Sequence, residues 1–402
     1  MKTKSLLILF IIILCKINIL LSLDQNTVAD ESYEYFNKAF LILKGSGGED
    51  NNNSYYRTDL STTHWLYFWQ QALVVLMVCD RYEFRGDTDV KSLINDVTYA
   101  FFEHERSSAN WRDARQNQDF ARIAQENQLS DWTWNDYNDD LLWAGLMFIR
   151  AYLITENKLY LEQAKWDWDL LYSRGWSDDL GGGIWWSVKK EEKSGLSNNP
   201  AVCMACYLYE ATGDEKYLEQ AKKIYDWIKS KLYNNDGSVD ERITADGSLP
   251  HAYNVYNQGT FIEGASLLYK ITSDQKYLED AQKTIEYVMV NLVTNDGIMS
   301  RWKVDGTWQS EFARGIARLL QIEPKLWKYE GVYTNEKKKI TYFDWMRLNA
   351  DAAWNTRDKV NNISGCKWDE QTPTYPSEGK TWESDACVSS VVMTNVTPEK
   401  IP

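Results

Sequence analysis

The chain is 402 residues long and sets 58 Asp and Glu against 44 Lys and Arg, a net charge of −14. Such a chain lacks the clustered cations that release counterions from a phosphate backbone, which excludes nucleic acid as a partner. Its 19 Trp and 25 Tyr exceed what an ordinary core needs; flat rings with wet polar tips stack on sugar faces, although they also fill large helical cores.

Lys2 and Lys4 precede an apolar run from Ser5 to Leu14 that continues, past Lys16, to Leu23. The run is too short and too interrupted for a spanning helix and reads as a signal peptide over residues 1–23, a retained signal anchor being the alternative. No later segment is apolar for long enough to span a bilayer, and the polar tail Thr394 to Pro402 lacks the hydrophobic end of a lipid-anchor signal. The expectation is a soluble monomer without a membrane anchor, outside the cell or in the lumen of an acidic endolysosomal compartment. Three sequons, at Asn52, Asn362 and Asn395, fit that route.

Downstream of the signal the chain repeats itself. Tyr160-Leu-Glu-Gln-Ala164, Tyr217-Leu-Glu-Gln-Ala221 and Tyr277-Leu-Glu-Asp-Ala281 each follow a turn, Thr155-Glu-Asn, Thr212-Gly-Asp and Thr272-Ser-Asp. Regular recurrence on this scale means stacked supersecondary units. After each turn the pattern is amphipathic at helical spacing, with Leu218, Ala221, Ile224, Tyr225 and Ile228 on one face and Lys222, Lys223 and Lys229 on the other. Before each turn it is apolar on every side, as in Leu141 to Ile154, which marks a buried helix. Outer segments are expected near Asp30, Asp87, Lys158, Glu215, Gln275 and Tyr342, and inner ones near His64, Asp139, Ser197, Tyr256, Thr307 and Ser384. The fold class is therefore all-α: six hairpins closing into a double-ring helical toroid, with an open solenoid as the alternative. The catalytic ring would occupy residues 24–365, and residues 366–402 would complete the last hairpin.

Cys15 falls in the signal, and the remaining five Cys cannot all pair. Cys203 and Cys206 lie in an apolar run and read as small buried hydrophobes. Cys366 and Cys387 sit in a loop-rich tail, where a disulfide is expected in an oxidising compartment.

Parallel inner helices put all their N-termini on one face. Those ends carry Trp69-Gln70, Tyr137-Asn-Asp139-Asp140, Ser197-Asn-Asn199 and Tyr256-Asn257-Gln258, with Trp132, Trp134, Trp185 and Trp186 in the preceding loops. Capping accounts for Ser197 to Asn199. It does not account for aromatics beside amides and carboxylates, which describe a sugar cleft lined by Trp69, Gln70, Trp134, Tyr137, Trp185, Trp186, Tyr256, Asn257 and Gln258. Asp139 and Asp140 stand at one helix start, and glycoside cleavage needs two carboxyls flanking the bond. Neighbouring helical residues diverge by about 100°, which suits the retaining separation of about 5 Å better than the longer inverting one.

Other chemistries fit poorly. Asp136-x-Asn138-x-Asp140 opens like a calcium loop, but Leu141 stands where Gly is required and Met147 where a bidentate Glu belongs. A magnesium-diphosphate site would want a second acidic cluster and basic partners. The three His show no zinc spacing. Neither a metal nor a cofactor is expected.

With Tyr67-Phe-Trp69-Gln70, Asp139-Asp140 followed by Trp143, Gly181-Gly-Gly-Ile-Trp185-Trp186, Leu208-Tyr-Glu-Ala-Thr-Gly-Asp214 and Tyr256-Asn257-Gln258-Gly259, the mature chain resembles family 76 of the glycoside hydrolases, the endo-α-1,6-mannanases. The resemblance implies an (α/α)6 barrel, retaining hydrolysis of α-1,6-mannan, no cofactor, Asp139 as nucleophile and Asp140 as acid/base. Ala144 departs from the second Trp that many members carry there. A transglycosidase using the same Asp pair and a non-catalytic glycan-binding toroid are the alternatives.

Overall fold

The structure, a computed structural model, describes residues 24–108, 118–299, 308–374 and 383–402; the expected signal peptide lies outside them. The helices, in chain order, are α1 (Gln25–Phe40), α2 (Phe68–Arg85), α3 (Lys91–Ser108), α4 (Gln118–Glu126), α5 (Asn138–Thr155), α6 (Lys158–Gly175), α7 (Gly195–Thr212), α8 (Glu215–Lys231), α9 (Val255–Thr272), α10 (Gln275–Asn291), α11 (Trp308–Ile322), α12 (Tyr342–Asn355) and α13 (Ser384–Val396). Helix α2 packs on α5, α5 on α7, α7 on α9, α9 on α11, α11 on α13, and α13 back on α2. The inner ring is closed. Outer helices α3, α6, α8 and α10 pack on the inner helices that precede them, while α1 covers α13 from the other end of the chain. The architecture is the (α/α)6 barrel, and α4 is an extra short helix inserted between the first and second outer layers.

The repeated turn explains itself at atomic level. Thr155, Thr212 and Thr272 each donate Oγ–H to the carbonyl four residues back at 2.7 Å. Glu156, Gly213 and Ser273 then take the left-handed conformation as C-caps. Asn157, Asp214 and Asp274 follow as N-caps whose side chains accept from the amides of Leu159, Lys216 and Lys276. One tripeptide thus ends an inner helix and starts an outer one.

The barrel axis is filled with charge. Asp80 accepts from Arg150 and Arg314, Glu83 from Arg150 and Arg318, and Glu311 from Arg314 at 2.6 Å, while the Tyr207 hydroxyl donates to Glu263 at 2.7 Å. These side chains come from α2, α5, α7, α9 and α11, so the network ties five inner helices together. Such a network specifies partners, and breaking one member leaves buried charge uncompensated.

Several sequence expectations meet the fold here. Cys203 and Cys206 are buried in α7, and burial pushes both thiols up, as small hydrophobes require. Cys366 and Cys387 are also buried and lie within electrostatic reach of each other. Asn52 is exposed and Asn362 partly so. Asn395 needs correction: it is 1% exposed inside α13, accepts from Arg81 at 2.9 Å and donates to the Val391 carbonyl at 2.7 Å, which leaves no space for a glycan. Among the described residues no helix is long and apolar enough to cross a membrane.

Candidate active site

At the N-terminal mouth of the inner ring lies a cavity of about 380 Å³, lined by Tyr67, Trp69, Leu73, Tyr137, Asp139, Asp140, Trp143, Trp186, Leu196 and Tyr256. Tyr67 and Tyr137 occupy the same structural place, the residue just before an inner helix, where an extended backbone turns the ring outward. They are 48% and 39% exposed, forming an aromatic rim with the partly exposed Trp69 and Trp186. Tyr137 and Trp186 lean together with ring centres 4.9 Å apart. Below them Trp143 and Tyr256 meet edge to face at 5.5 Å and close the floor. The Tyr256 hydroxyl is held well above its ordinary pKa, first by burial and then by the Asp139 charge, so it stays protonated.

Asp139 and Asp140 stand in the first turn of α5. Asp139 is partly exposed to the cavity, and its Oδ2 accepts from the Trp186 indole N–H at 2.8 Å. Its Oδ1 has no partner among the described residues. Asp140 lies deeper, 8% exposed, with Oδ2 accepting from Asn135 at 3.0 Å and a further hydrogen bond from Tyr67. Burial raises both carboxyls above the ordinary 3.8. The Asp140 charge raises Asp139 further, whereas the Asn135 and Tyr67 donors and the Arg174 charge pull Asp140 back. Two coupled carboxyls in one low-dielectric site share a proton over a pH range in which isolated Asp would both be ionised. That is the state in which one can donate while the other carries charge.

The predicted binding residues divide. Trp69, Tyr137, Trp186 and Tyr256 line the cavity with the Asp pair. Trp185 does not: it is 4% exposed, donates its indole N–H to Ser177 at 2.9 Å and packs under Lys193. Trp134 packs edge-on against Phe68 behind the wall. Gln70 donates to Asp385 at 2.7 Å, joining the first and last inner helices. Asn257 is fully buried against Gly195, where even a Cβ would meet it at 2.7 Å. Gln258 clamps both backbone groups of Val239, accepting its N–H and donating to its carbonyl, each at 2.8 Å. Asn198 does the same to Ile184. These buried amides fasten rim loops to the helix starts.

Sequence reasoning passed over Tyr67, Leu73, Leu196 and Asn135 as site residues. Tyr67 carried a readable signal, its position matching Tyr137 in the repeat. Leu73 and Leu196 carried none, since apolar residues on an inner helix look alike whether they face core or cavity.

The chain matches the sequence model of glycosyl hydrolase family 76 over residues 25–401. It is 29% identical over 193 residues to the mannan endo-1,6-alpha-mannosidase DCW1 of Saccharomyces cerevisiae. That match covers 42% of this chain and 40% of the yeast protein, so it spans less than half the length of this curated relative. Among solved structures, the GH76A alpha-1,6-mannanase of Salegentibacter sp. HEL1_6 superposes with a TM-score of 0.72 at 24% identity, covering 93% of this chain and 99% of that one. Dfg5 of Chaetomium thermophilum, solved with glucosamine, gives a TM-score of 0.64 at 16% identity, over 93% and 88% of the two chains. At these identities the structural likeness is one of fold. The family match runs from α1 to the tail beyond α13 and takes in the whole ring and its paired aspartates, and on that ground the chain belongs to glycosyl hydrolase family 76.

Proposed function

We propose that the chain is a secreted, retaining glycosidase that cleaves α-1,6-mannosidic bonds in mannan backbones with Asp139 and Asp140. The observation that carries this reading is the placement of two adjacent, raised carboxyls at the floor of a cavity with aromatic walls. The relatives supply the substrate class. The yeast relative is named a mannan endo-1,6-alpha-mannosidase, and an inactive Salegentibacter variant with two consecutive aspartates replaced was solved with alpha-1,6-mannotriose. Secretion rests on the basic and apolar run before residue 24.

In the proposed cycle Asp139 attacks the anomeric carbon while Asp140 protonates the departing glycosidic oxygen; Asp140 then deprotonates the water that opens the glycosyl-enzyme. The Trp186 indole holds one oxygen of Asp139 at 2.8 Å, and the other is buried without a hydrogen-bond partner among the described residues. Interception of the intermediate by a second sugar in place of water would make the same site a transglycosidase.

One observation favours the reverse order of roles. The donors gather on Asp140 and the shared proton is drawn toward Asp139. The Asn variants separate the two. Asp139→Asn should abolish turnover even with an activated aryl mannoside, whereas Asp140→Asn should still load it and be rescued by azide with retained α configuration. Swapped behaviour would assign the nucleophile to Asp140. Near-normal cleavage by both variants would remove the pair from catalysis.

A further inference from the structure

Among the described residues, no cation lines the cavity that holds the two carboxyls. Behind it, at the end of outer helix α6, Arg174 donates Nε–H to Asn138 Oδ1 at 2.8 Å. Asn138 is fully buried at the first position of α5, next to the catalytic pair. Its amide N–H donates to the Trp186 carbonyl at 2.8 Å and its Nδ2 to the Trp185 carbonyl at 2.7 Å. The neighbouring Gly175 makes this approach possible, since a Cβ there would meet Asn138 Nδ2 at 3.0 Å and Ile184 at 2.9 Å. One chain of contacts thus runs from Arg174 through Asn138 to the backbone of Trp186, whose indole grips Asp139.

The rest of the guanidinium is unusual. Nη1 and Nη2 are buried and have no partner among the described residues. A helix-end Arg kept only for packing would send them to solvent or to a carboxylate. We infer that Arg174 is a positioning residue for the catalytic pair: it fixes the start of α5 through Asn138 and holds a positive charge behind Asp140. The inference rests on the proposed glycosidase reading of the Asp pair.

The surroundings keep that charge directed at the site. Asp167, also on α6, has neither oxygen partnered; burial raises its carboxyl and the Arg174 charge pulls it back. Burial lowers Arg174 itself to about 10, which leaves it charged at neutral pH. Among the described residues, the other titratable groups around the pair and Arg174 are Tyr67 ahead of α2, which bonds Asp140, Asp136 ahead of α5, which acts on Arg174, and Tyr256 of α9, which senses both carboxyls and Glu311 of α11; none is a cation. Arg174 therefore stabilises a negative charge on Asp140 together with the Asn135 and Tyr67 donors, against the cost of burial.

The test is a carboxyl ¹³C NMR titration of Asp-labelled full-length protein, with the Asp140 resonance identified as the one missing from Asp140→Asn. In Arg174→Gln the Asp140 midpoint should rise by about one pH unit, the lower end of the effect of a nearby opposite charge. In Arg174→Lys, which restores the charge, it should stay within about half of that rise of wild type. On mannan, Arg174→Gln should lower kcat more than it raises KM and carry the pH optimum upward with the titration, and Lys should recover the optimum. An unmoved Asp140 midpoint in Arg174→Gln would overturn the inference. If Arg174→Gln does not fold, an Asp140 midpoint in Arg174→Lys displaced upward by a full unit would overturn it, and a wild-type midpoint would support it. Wild-type protein inert on mannan would instead defeat the glycosidase reading, while the titration still decides whether Arg174 governs Asp140.

Discussion

Adjacent tryptophans with different fates set the limit of what single residues reveal. Trp185 and Trp186 are neighbours between two isolated bridges, Trp176 with Ile184 and Tyr137 with Ser187, yet one ring is buried and the other lines the cavity. The sequence marks both as aromatic and gives no sign of which faces the cavity; the answer depends on the pairing of Asn138 with the Trp185 and Trp186 carbonyls. Trp186→Phe keeps a ring but loses the hydrogen bond to Asp139, so kcat on mannan should fall about ten- to a hundredfold, the worth of one bond to a charged group. Trp185→Ala should cost about 3–5 kcal/mol of stability, as burial of a large ring implies, with oligosaccharide affinity little changed in a titration of the folded fraction. The Asp pair, by contrast, was legible because no core needs two carboxylates at a buried helix start. Its raised carboxyls carry a stability signature. A group whose folded pKa lies above its unfolded one binds more protons when folded, so its contribution falls as pH rises above 3.8. Asp139→Asn should therefore melt higher than wild type at pH 7, with the gap closing toward pH 4; a melting point equal to or below wild type at pH 7 would show that the pair is not strained.

At the scale of elements, the repeat announced most inner and outer helices, and the Thr-x-Asx turns placed their ends to within a few residues. What it could not announce was α4, which belongs to no repeat unit, or the purpose of the Tyr256-Asn-Gln-Gly259 motif. Only Tyr256 of that motif faces the cavity. Gly259 lets α9 touch α11 backbone to backbone: a Cβ there would meet Phe312 N at 2.3 Å, and a Cβ on Gly315 would meet the Gly259 carbonyl at 2.3 Å. Such contact depends on three-dimensional neighbours that a pattern of polar and apolar letters does not encode. Gly259→Ala cannot be absorbed by a side-chain movement, so it should destabilise by about 1–3 kcal/mol or more, the cost of overpacking a close-packed core. Thermal unfolding measures this, and a wild-type melting temperature would show that the two helices can separate without cost.

For the whole molecule, closure of the ring is what turns six helix starts into one mouth. Helix α13 meets α2 through contacts such as Gln70 with Asp385, while α1 is pinned to the tail where Gln25 donates to the Thr394 carbonyl at 2.8 Å. The charged axis couples five of the six inner helices, and apart from Glu311 with Arg314 inside α11 its ion pairs could not be read from sequence, because the partners lie in different repeats. Asp80→Ala strands Arg150 and Arg314 without their shared acceptor and should cost about 3–5 kcal/mol; denaturant unfolding at neutral pH checks it. The account as a whole stands on the chemistry at the mouth. Its most direct test is to incubate the wild-type protein and its Asp139→Asn and Asp140→Asn variants with linear α-1,6-mannan, following product size and the anomeric configuration of the first-formed ends. The account predicts shorter α-configured mannooligosaccharides from the wild type and none from either variant on this unactivated substrate. Intact polymer with the wild type, β-configured first products, or equal cleavage by the variants would contradict it.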